Sequence, residues 1–155
     1  MEYYLDMDPA YAGYGRAAYV LLPVPYDGTS TYVKGADKGP QALIDASDSI
    51  ELYDVEEDAE PYLAGIHTAP PVVTGAETPE EMVSAVRART AEVLRDGKMA
   101  VLLGGEHSVS AGAVYAYAER YPDLSVLQLD AHADLRESYH GSPYNHACVM
   151  RRIQE

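Results

Sequence analysis

The sequence predicts an α/β protein arranged as three layers, α/β/α, with helices on both faces of a mainly parallel sheet. Apolar runs typical of buried strands alternate with helical patterns from Ala17 onward, which is the pattern of this fold class. Residues 98–130 have the pattern strand, helix, strand, and such a βαβ unit places its strands parallel. The 155 residues and 47% hydrophobic content suit a single domain over residues 1–155.

The first third of the chain contains one predicted strand and one predicted helix. Residues 1–15 show no period and are interpreted as an arm or loop. Residues 17–24 form an apolar run bounded by prolines, which predicts the first buried strand. Residues 26–31 have loop composition. Gly39 and Pro40 then open a helix predicted to run through Ser47, with proline in its favoured first turn.

The middle of the chain contains an acidic loop, a short strand and a helix. Residues 49–61 are mostly acidic and polar and are interpreted as a strand remnant and exposed loop. Residues 63–73 are interpreted as a short edge strand at best, because Gly65 and the Pro70-Pro71 pair interrupt that segment. Thr78 followed by Glu81 is a capping box, which starts a helix that Gly97 ends. Between them, apolar residues recur at helical spacing.

The last predicted unit carries the polar residues of interest. Residues 98–103 are predicted as a buried strand, residues 108–120 as a helix and residues 124–130 as a second buried strand. Because the carboxyl ends of parallel strands lie at one edge of a sheet, residues after both strands should meet there.

Composition and charge restrict the possible partners. Twenty-five acidic against eleven basic residues give a net charge of −14, which disfavours nucleic acid and anionic membranes and weakly favours a small cationic molecule. Most of this charge is also explained as a solvated surface. With one cysteine, no membrane-length apolar stretch and no signal-peptide pattern, the sequence predicts a cytoplasmic protein.

Asp130, His132 and Asp134 stand at alternate positions directly after a predicted strand, so an extended chain would point them the same way. Carboxylates and imidazole are ligands for Mn²⁺, Zn²⁺ and similar ions. A polar turn is the alternative interpretation. We favour a metal site because three such groups packed together repel one another unless a cation holds them.

His107 follows Gly104 and Gly105 at the end of the preceding strand. By itself Gly-Gly-Glu-His is more often a tight turn, but the βαβ unit brings His107 toward Asp130, His132 and Asp134. Four groups of ligand type at one sheet edge indicate a site for two metal ions, which lower the pKa of a shared water.

Four segments resemble the ureohydrolase family of arginases and agmatinases, and most closely the bacterial agmatinases. They are LPVPYDGTS from Leu22 with Gly39-Pro40 downstream, GGEHS from Gly104, DAHADLR from Asp130, and GSPYNHA from Gly141. The resemblance implies that His107, Asp130, His132 and Asp134 ligate a pair of Mn²⁺ ions. It also implies catalytic roles for Asp134 and for His146, which would shuttle a proton or orient the substrate. His67 and His140 match no motif and are expected at the surface.

The resemblance further implies hydroxide attack on a guanidinium carbon, with release of urea. Arginases have an asparagine two residues after the third strand-end ligand, whereas this chain has Arg136. That difference favours agmatine, hydrolysed to putrescine and urea. Another ureohydrolase activity, arginase or guanidinobutyrase-like, remains an alternative.

The chain departs from the family in length. Members are about twice as long, and their second half supplies a Ser-x-Asp-x-Asp metal segment and a later glutamate that this sequence lacks. Three hypotheses remain: an agmatinase whose other half comes from elsewhere, a half-domain that binds metal without catalysis, or a truncated product with an interaction role. We expect weak binding of one ion at most, an incomplete helix layer, and a homo-oligomer or other association through an open sheet edge.

Overall fold

A computed structural model describes residues 3–72, 75 and 78–155 of the chain. Its three strands form one parallel sheet in the order β2-β1-β3. They are β1 (Tyr19–Val24), β2 (Ile66–Thr68) and β3 (Met99–Gly104). The α-helices are α1 (Pro9–Ala12), α2 (Gly39–Ala46), α3 (Pro79–Arg95), α4 (Ser110–Arg120) and α5 (Val149–Gln154). Single 3₁₀ turns cover Tyr4–Asp6, Ala36–Lys38, Ser47–Ser49, Pro61–Ala64, His107–Val109 and His146–Cys148.

The central strand is β1, which pairs with β3 along its whole length, from Tyr19 opposite Met99 to Val24 opposite Gly104. Pro23 is tolerated in it because the backbone nitrogen and carbonyl of one residue face the same side of a strand. The Pro23 carbonyl accepts from Val72, on the β2 side. Since β2 ends at Thr68, the missing proline N–H costs no ladder hydrogen bond there.

One face of the sheet is covered by α3 and α4. Val20, Leu22 and Val24 point to this face and lie in two buried clusters with apolar residues of both helices. The helices approach closely at Gly112, where an added Cβ would lie 2.3 Å from the Val83 carbonyl oxygen. The capping box predicted at Thr78 and Glu81 starts α3 as expected, and Gly97 follows its end with a φ of +72°.

The opposite face is only partly covered, by α2. Leu21, Val101 and Leu103 border an open apolar cavity of about 550 Å³ together with Leu43 of α2. The predicted three-layer arrangement is therefore confirmed, with its second helix layer incomplete. Within the parts of the chain that the structure describes, no helix is long and apolar enough to cross a membrane.

The prediction of a buried strand over residues 124–130 was wrong. The three-stranded sheet of the described residues does not include this segment, and the side chains of Leu127 and Leu129 are 83% and 89% exposed. The apolar pattern is that of a strand buried on both faces, but a strand also needs a hydrogen-bonding neighbour. The predicted βαβ unit therefore ends after α4.

The amino-terminal arm is more ordered than its composition indicated. Among its described residues, Asp8 caps α1 by accepting from the Ala10 N–H at 2.7 Å, and Ala12 is fully buried. His67, expected at the surface, is half-buried and its Nδ1 lies 2.8 Å from the Ala12 carbonyl oxygen. The predicted edge strand is confirmed as β2, while Val73 of that prediction lies outside the described residues. The acidic loop is exposed, with one isolated bridge between Asp54 and Ala59.

Candidate metal centre

The site begins where β3 ends, at a turn that requires glycine. A Cβ added to Gly105 would lie 2.2 Å from the Tyr26 carbonyl oxygen, so only glycine allows this backbone approach. The Gly105 N–H donates to the Val24 carbonyl and the Glu106 N–H to the Tyr26 carbonyl, both at 3.0 Å. These bonds hold the ends of β1 and β3 together and place His107 at the carboxyl edge of the sheet.

Three of the four predicted ligands lie together. His107 Nδ1 is 3.5 Å from Asp130 Oδ2, and His107 Nε2 is 3.9 Å from Asp134 Oδ2. One donor atom from each residue can be chosen so that all three lie within 4.8 Å of one another. Residues from the β3 end and from the segment after α4 therefore converge, although no strand carries Asp130.

His132 lies beside this group and is not a member of it. Its Nδ1 is 3.6 Å from Asp130 Oδ1, but its side chain is 81% exposed. The chain bends at 130–132 instead of staying extended, so alternate side chains no longer share one side. The bend is held by the His132 N–H, which donates to Asp130 Oδ1 at 2.8 Å.

Asp134 is positioned by its backbone as well as by its side chain. Its φ is +48°, in the left-handed region that aspartate tolerates better than most residues. Its carbonyl accepts from the N–H groups of Met150 and Arg151 in α5, each at 3.2 Å, and Oδ2 accepts from Gln128 Nε2 at 3.1 Å. The start of α5 thus fixes where this carboxylate lies.

The electrostatics of the cluster suit a cation. The His132 backbone N–H donates to Asp130 and holds the pKa of that carboxyl below its usual range; His107 and His132 act in the same direction, while desolvation opposes them. Donor atoms around one divalent ion lie about 3–4 Å apart, because each bond is about 2.1 Å long. The 3.5 Å and 3.9 Å distances start from different ring nitrogens of His107, and an imidazole binds one ion through one nitrogen. With one donor atom taken from each residue, the three atoms lie within 4.8 Å of one another, so small movements would bring them around one ion. The donor set therefore fits a divalent ion that accepts oxygen and imidazole ligands.

His146 lies next to the cluster, with its ring centroid 6.2 Å from that of His107. Its Nδ1 is 2.7 Å from the Thr29 carbonyl oxygen, and its backbone N–H donates to Thr29 Oγ1 at 2.9 Å. Asn145 caps the short turn that carries it. Although a lone histidine in such a loop is usually a surface residue, His146 is half-buried and fixed.

Two residues of this region had no assigned role in the sequence analysis. Glu106 is buried and accepts hydrogen bonds from Thr29 and Ser108. Both Glu106 and Thr29 stand inside quoted motifs, but a motif match does not tell which of its residues are buried against each other. A cavity of about 650 Å³ opens beside Thr29 and is also bordered by Gly28, Pro79 and Asn145.

Comparison with known proteins gives a consistent result. Residues 17–155 match the model of the Arginase family. The chain is 40% identical over 152 residues to N(1)-aminopropylagmatine ureohydrolase of Synechocystis, and the match covers 94% of this chain and 50% of that protein. The chain therefore spans about half the length of the curated relatives it matches.

Solved structures show the same relationship. The crystal structure of agmatine ureohydrolase of Thermoplasma volcanium superposes with a TM-score of 0.84 at 33% identity, covering 99% of this chain and 50% of that one. The Trypanosoma cruzi formiminoglutamase with Mn²⁺ shares the fold, with a TM-score of 0.78 at 24% identity over 90% of this chain and 48% of that one.

Proposed function

This chain belongs to the arginase family, and we propose that it carries the metal-binding half of a hydrolase that releases urea from a linear guanidino compound. The observation that supports this most is the convergence of His107, Asp130 and Asp134, with His146 beside them. That arrangement combines side chains that can hold a metal ion with an imidazole, the side chain that most often serves as acid or base in enzymes.

We propose Mn²⁺ as the metal, held by His107, Asp130, His132 and Asp134. The cation would supply Lewis acidity and a water of lowered pKa. The Mn²⁺ of the Trypanosoma cruzi formiminoglutamase structure is consistent with this choice. His132 is included in this set because its Nδ1 lies 3.6 Å from Asp130 Oδ1. Its side chain would have to turn toward the other three residues to share an ion with them.

The chain's own residues would have distinct tasks in the reaction. Asp134, held by α5 and Gln128, would keep one carboxylate at a fixed place toward the attacking water and the guanidinium. His146 Nδ1 faces the Thr29 carbonyl, so Nε2 is the ring nitrogen left to hold or move a proton. A leaving amine needs such a proton to depart as a neutral group.

Agmatine, hydrolysed to putrescine and urea, is the proposed substrate. The strongly negative chain would attract this cation. The name of the 33% identical solved structure supports agmatine, and the name of the 40% identical relative supports a second candidate, N(1)-aminopropylagmatine. Both candidates present a terminal guanidinium on a linear amine chain, so the proposed chemistry is the same for either.

We also propose that the chain associates through the edge of β3 that no described strand pairs, and through exposed apolar residues of β3 and of the segment after α4. Met99 and Val101 of β3 and Leu127 and Leu129 after α4 are exposed. An unpaired strand edge beside apolar side chains is a surface suited to further strand pairing. The pairing strand could come from a second copy of this chain or from the other half of the family fold.

Calorimetric titration with Mn²⁺ and a urea-release assay test the proposal. Residues 1–155 by themselves should bind one ion weakly, and turnover of agmatine or N(1)-aminopropylagmatine should appear only when the half of the fold that the relatives have in addition is also present. A double variant, Asp130→Asn with Asp134→Asn, serves as the control that should abolish both signals.

Two results would contradict the proposal. If neither substrate yields urea when Mn²⁺ and the other half of the fold are present, the proposed hydrolase activity is wrong. If residues 1–155 by themselves bind two ions tightly and turn over at an ordinary rate, the proposal that the site needs the other half of the fold is wrong.

A further inference from the structure

Glu106 is a buried carboxylate that the proposed mechanism does not use. Its residue is 8% exposed. Oε1 accepts from the Thr29 N–H at 3.1 Å and from Ser108 Oγ at 2.8 Å, and Oε2 accepts from Thr29 Oγ1 at 2.5 Å. A buried carboxylate is costly unless its oxygens are satisfied, so these bonds account for its being there.

Thr29 connects Glu106 to His146. Its hydroxyl donates to Glu106 and accepts from the His146 backbone N–H at 2.9 Å. Its backbone carbonyl lies 2.7 Å from His146 Nδ1. Nδ1 also lies 3.2 Å from Thr29 Oγ1, whose proton is donated to Glu106. Because the carbonyl can only accept and this hydroxyl has no second proton to donate, Nδ1 carries the proton in the neutral ring, which leaves Nε2 unprotonated.

Other bonds hold the loop at some distance from that carbonyl: the Asp27 carboxylate accepts from the Ser30 hydroxyl and from the Gly35 N–H. Residues 25–31 include no helix or strand. Glu106 holds both the N–H and the hydroxyl of Thr29, which is a two-point attachment. The His146 N–H also holds the Thr29 hydroxyl, but only Glu106 holds the N–H and the hydroxyl together, so its removal should let the Thr29 carbonyl turn.

We infer that Glu106 is a positioning residue, which fixes the Nδ1–H tautomer of His146 through Thr29 and keeps Nε2 free as a proton acceptor. The catalytic meaning of this tautomer rests on the proposed function. The tautomer itself is a property of the chain without metal or substrate.

The test is nitrogen NMR of the full chain, metal-free, with ¹⁵N-labelled histidine at a pH where the rings are neutral. The His146→Asn variant assigns the signals. In the unmodified chain, His146 should be protonated at Nδ1. In Glu106→Ala, the ratio of tautomers should move toward Nε2–H by about five- to tenfold, as loss of one hydrogen bond produces.

A second pair of variants keeps the test decisive if Glu106→Ala fails to fold. Thr29→Val removes the hydroxyl and should shift the ratio in the same direction, whereas Thr29→Ser retains the hydroxyl and should restore it. Thr31→Val makes the same change at an exposed threonine of this loop and should leave the tautomer unchanged.

An Nε2–H tautomer in the unmodified chain would overturn the inference. An unchanged tautomer in folded Glu106→Ala would also overturn it and reduce Glu106 to a structural role, as would equal tautomer ratios in Thr29→Val and Thr29→Ser. Since no turnover is measured, a failed urea assay beside the expected NMR result would count against the proposed function alone.

Discussion

At the scale of single residues, Asp130 and Asp134 are the charges on which the candidate metal centre depends. Their carboxylates approach the same imidazole, that of His107. Replacing either by asparagine keeps the shape and removes one negative charge that would balance the cation.

We expect Asp130→Asn and Asp134→Asn each to weaken Mn²⁺ binding. The loss should exceed the roughly 10- to 100-fold effect of losing an outer hydrogen-bond partner of a metal ligand. Calorimetric titration measures it, with Asp123→Asn as the matched change at an exposed aspartate. Equal affinities for all three variants would show that the ion binds elsewhere.

Asp27 gives a prediction about pH. The Ser30 hydroxyl and the Gly35 N–H donate to its carboxylate and hold its pKa below the ordinary value of 3.8, with smaller help from the Ala36 N–H and Lys34 and against an opposing effect of desolvation. A carboxyl whose folded-state pKa is depressed stabilises the fold above its unfolded pKa. That stabilisation is lost as the pH falls through the folded pKa.

The unmodified chain should therefore exceed Asp27→Asn in unfolding temperature near pH 7, and the difference should shrink once the pH falls below about 3.8. Thermal unfolding followed by circular dichroism across this range measures the effect. The exposed Asp37→Asn change is the control. A difference that stays constant with pH would mean that Asp27 acts through shape and not through charge.

At the scale of elements, the packing of α3 against α4 depends on Gly112. A Cβ at this position would also lie 2.9 Å from Val86 Cβ and 3.0 Å from the Arg87 nitrogen. Gly112→Ala should destabilise the fold by about 1–3 kcal/mol, since the helices must separate to admit the methyl group.

Chemical denaturation measures that change, and Gly15→Ala is the matched control because a Cβ there meets nothing within 4 Å. The control should change the free energy of unfolding by less than about 0.5 kcal/mol. A Gly112→Ala variant as stable as the control would mean that α4 can shift without cost.

Elements with local signals were predictable from sequence, and elements that depend on distant partners were less so. The start of α3 follows from Thr78 and Glu81 alone, since a capping box involves one turn of chain. The apolar run before Asp130 predicts burial, but pairing requires a neighbouring strand that no local pattern reveals. The predicted orientation of the His132 side chain was wrong for a related reason. The prediction assumed an extended chain, whereas the backbone bends at residues 130–132.

The candidate site was predictable in its residue types and only partly in its geometry. His107, Asp130 and Asp134 meet as the sequence indicated, which needs only the glycine turn after β3 and the return of the chain after α4. The link from Glu106 through Thr29 to His146 joins residues far apart in sequence. Hydrogen bonds of that kind cannot be read from spacing.

At the scale of the whole molecule, the exposed Leu127 and Leu129 and the edge of β3 that no described strand pairs should cause association. The chain should form oligomers whose population rises with concentration, and Leu127→Lys with Leu129→Lys should lower it, because apolar contact is replaced by like charge. Sedimentation velocity measures the distribution. Val55→Lys, at an exposed apolar residue of the acidic loop, is the control. A chain that stays monomeric at every concentration would contradict this.

The strand order β2-β1-β3 also affects how the chain behaves while it is being made. The central strand β1 is synthesised first, and Tyr19 pairs with Ile66 on one side and Met99 on the other. At about 5–20 residues per second, β1 waits roughly 4–16 s for β3 to leave the ribosome. During that time β1 can pair only with the short β2, and Val20, Leu22 and Val24 lack the α4 residues that help to bury them. The nascent chain therefore offers an apolar segment that chaperones can bind until α4 has emerged.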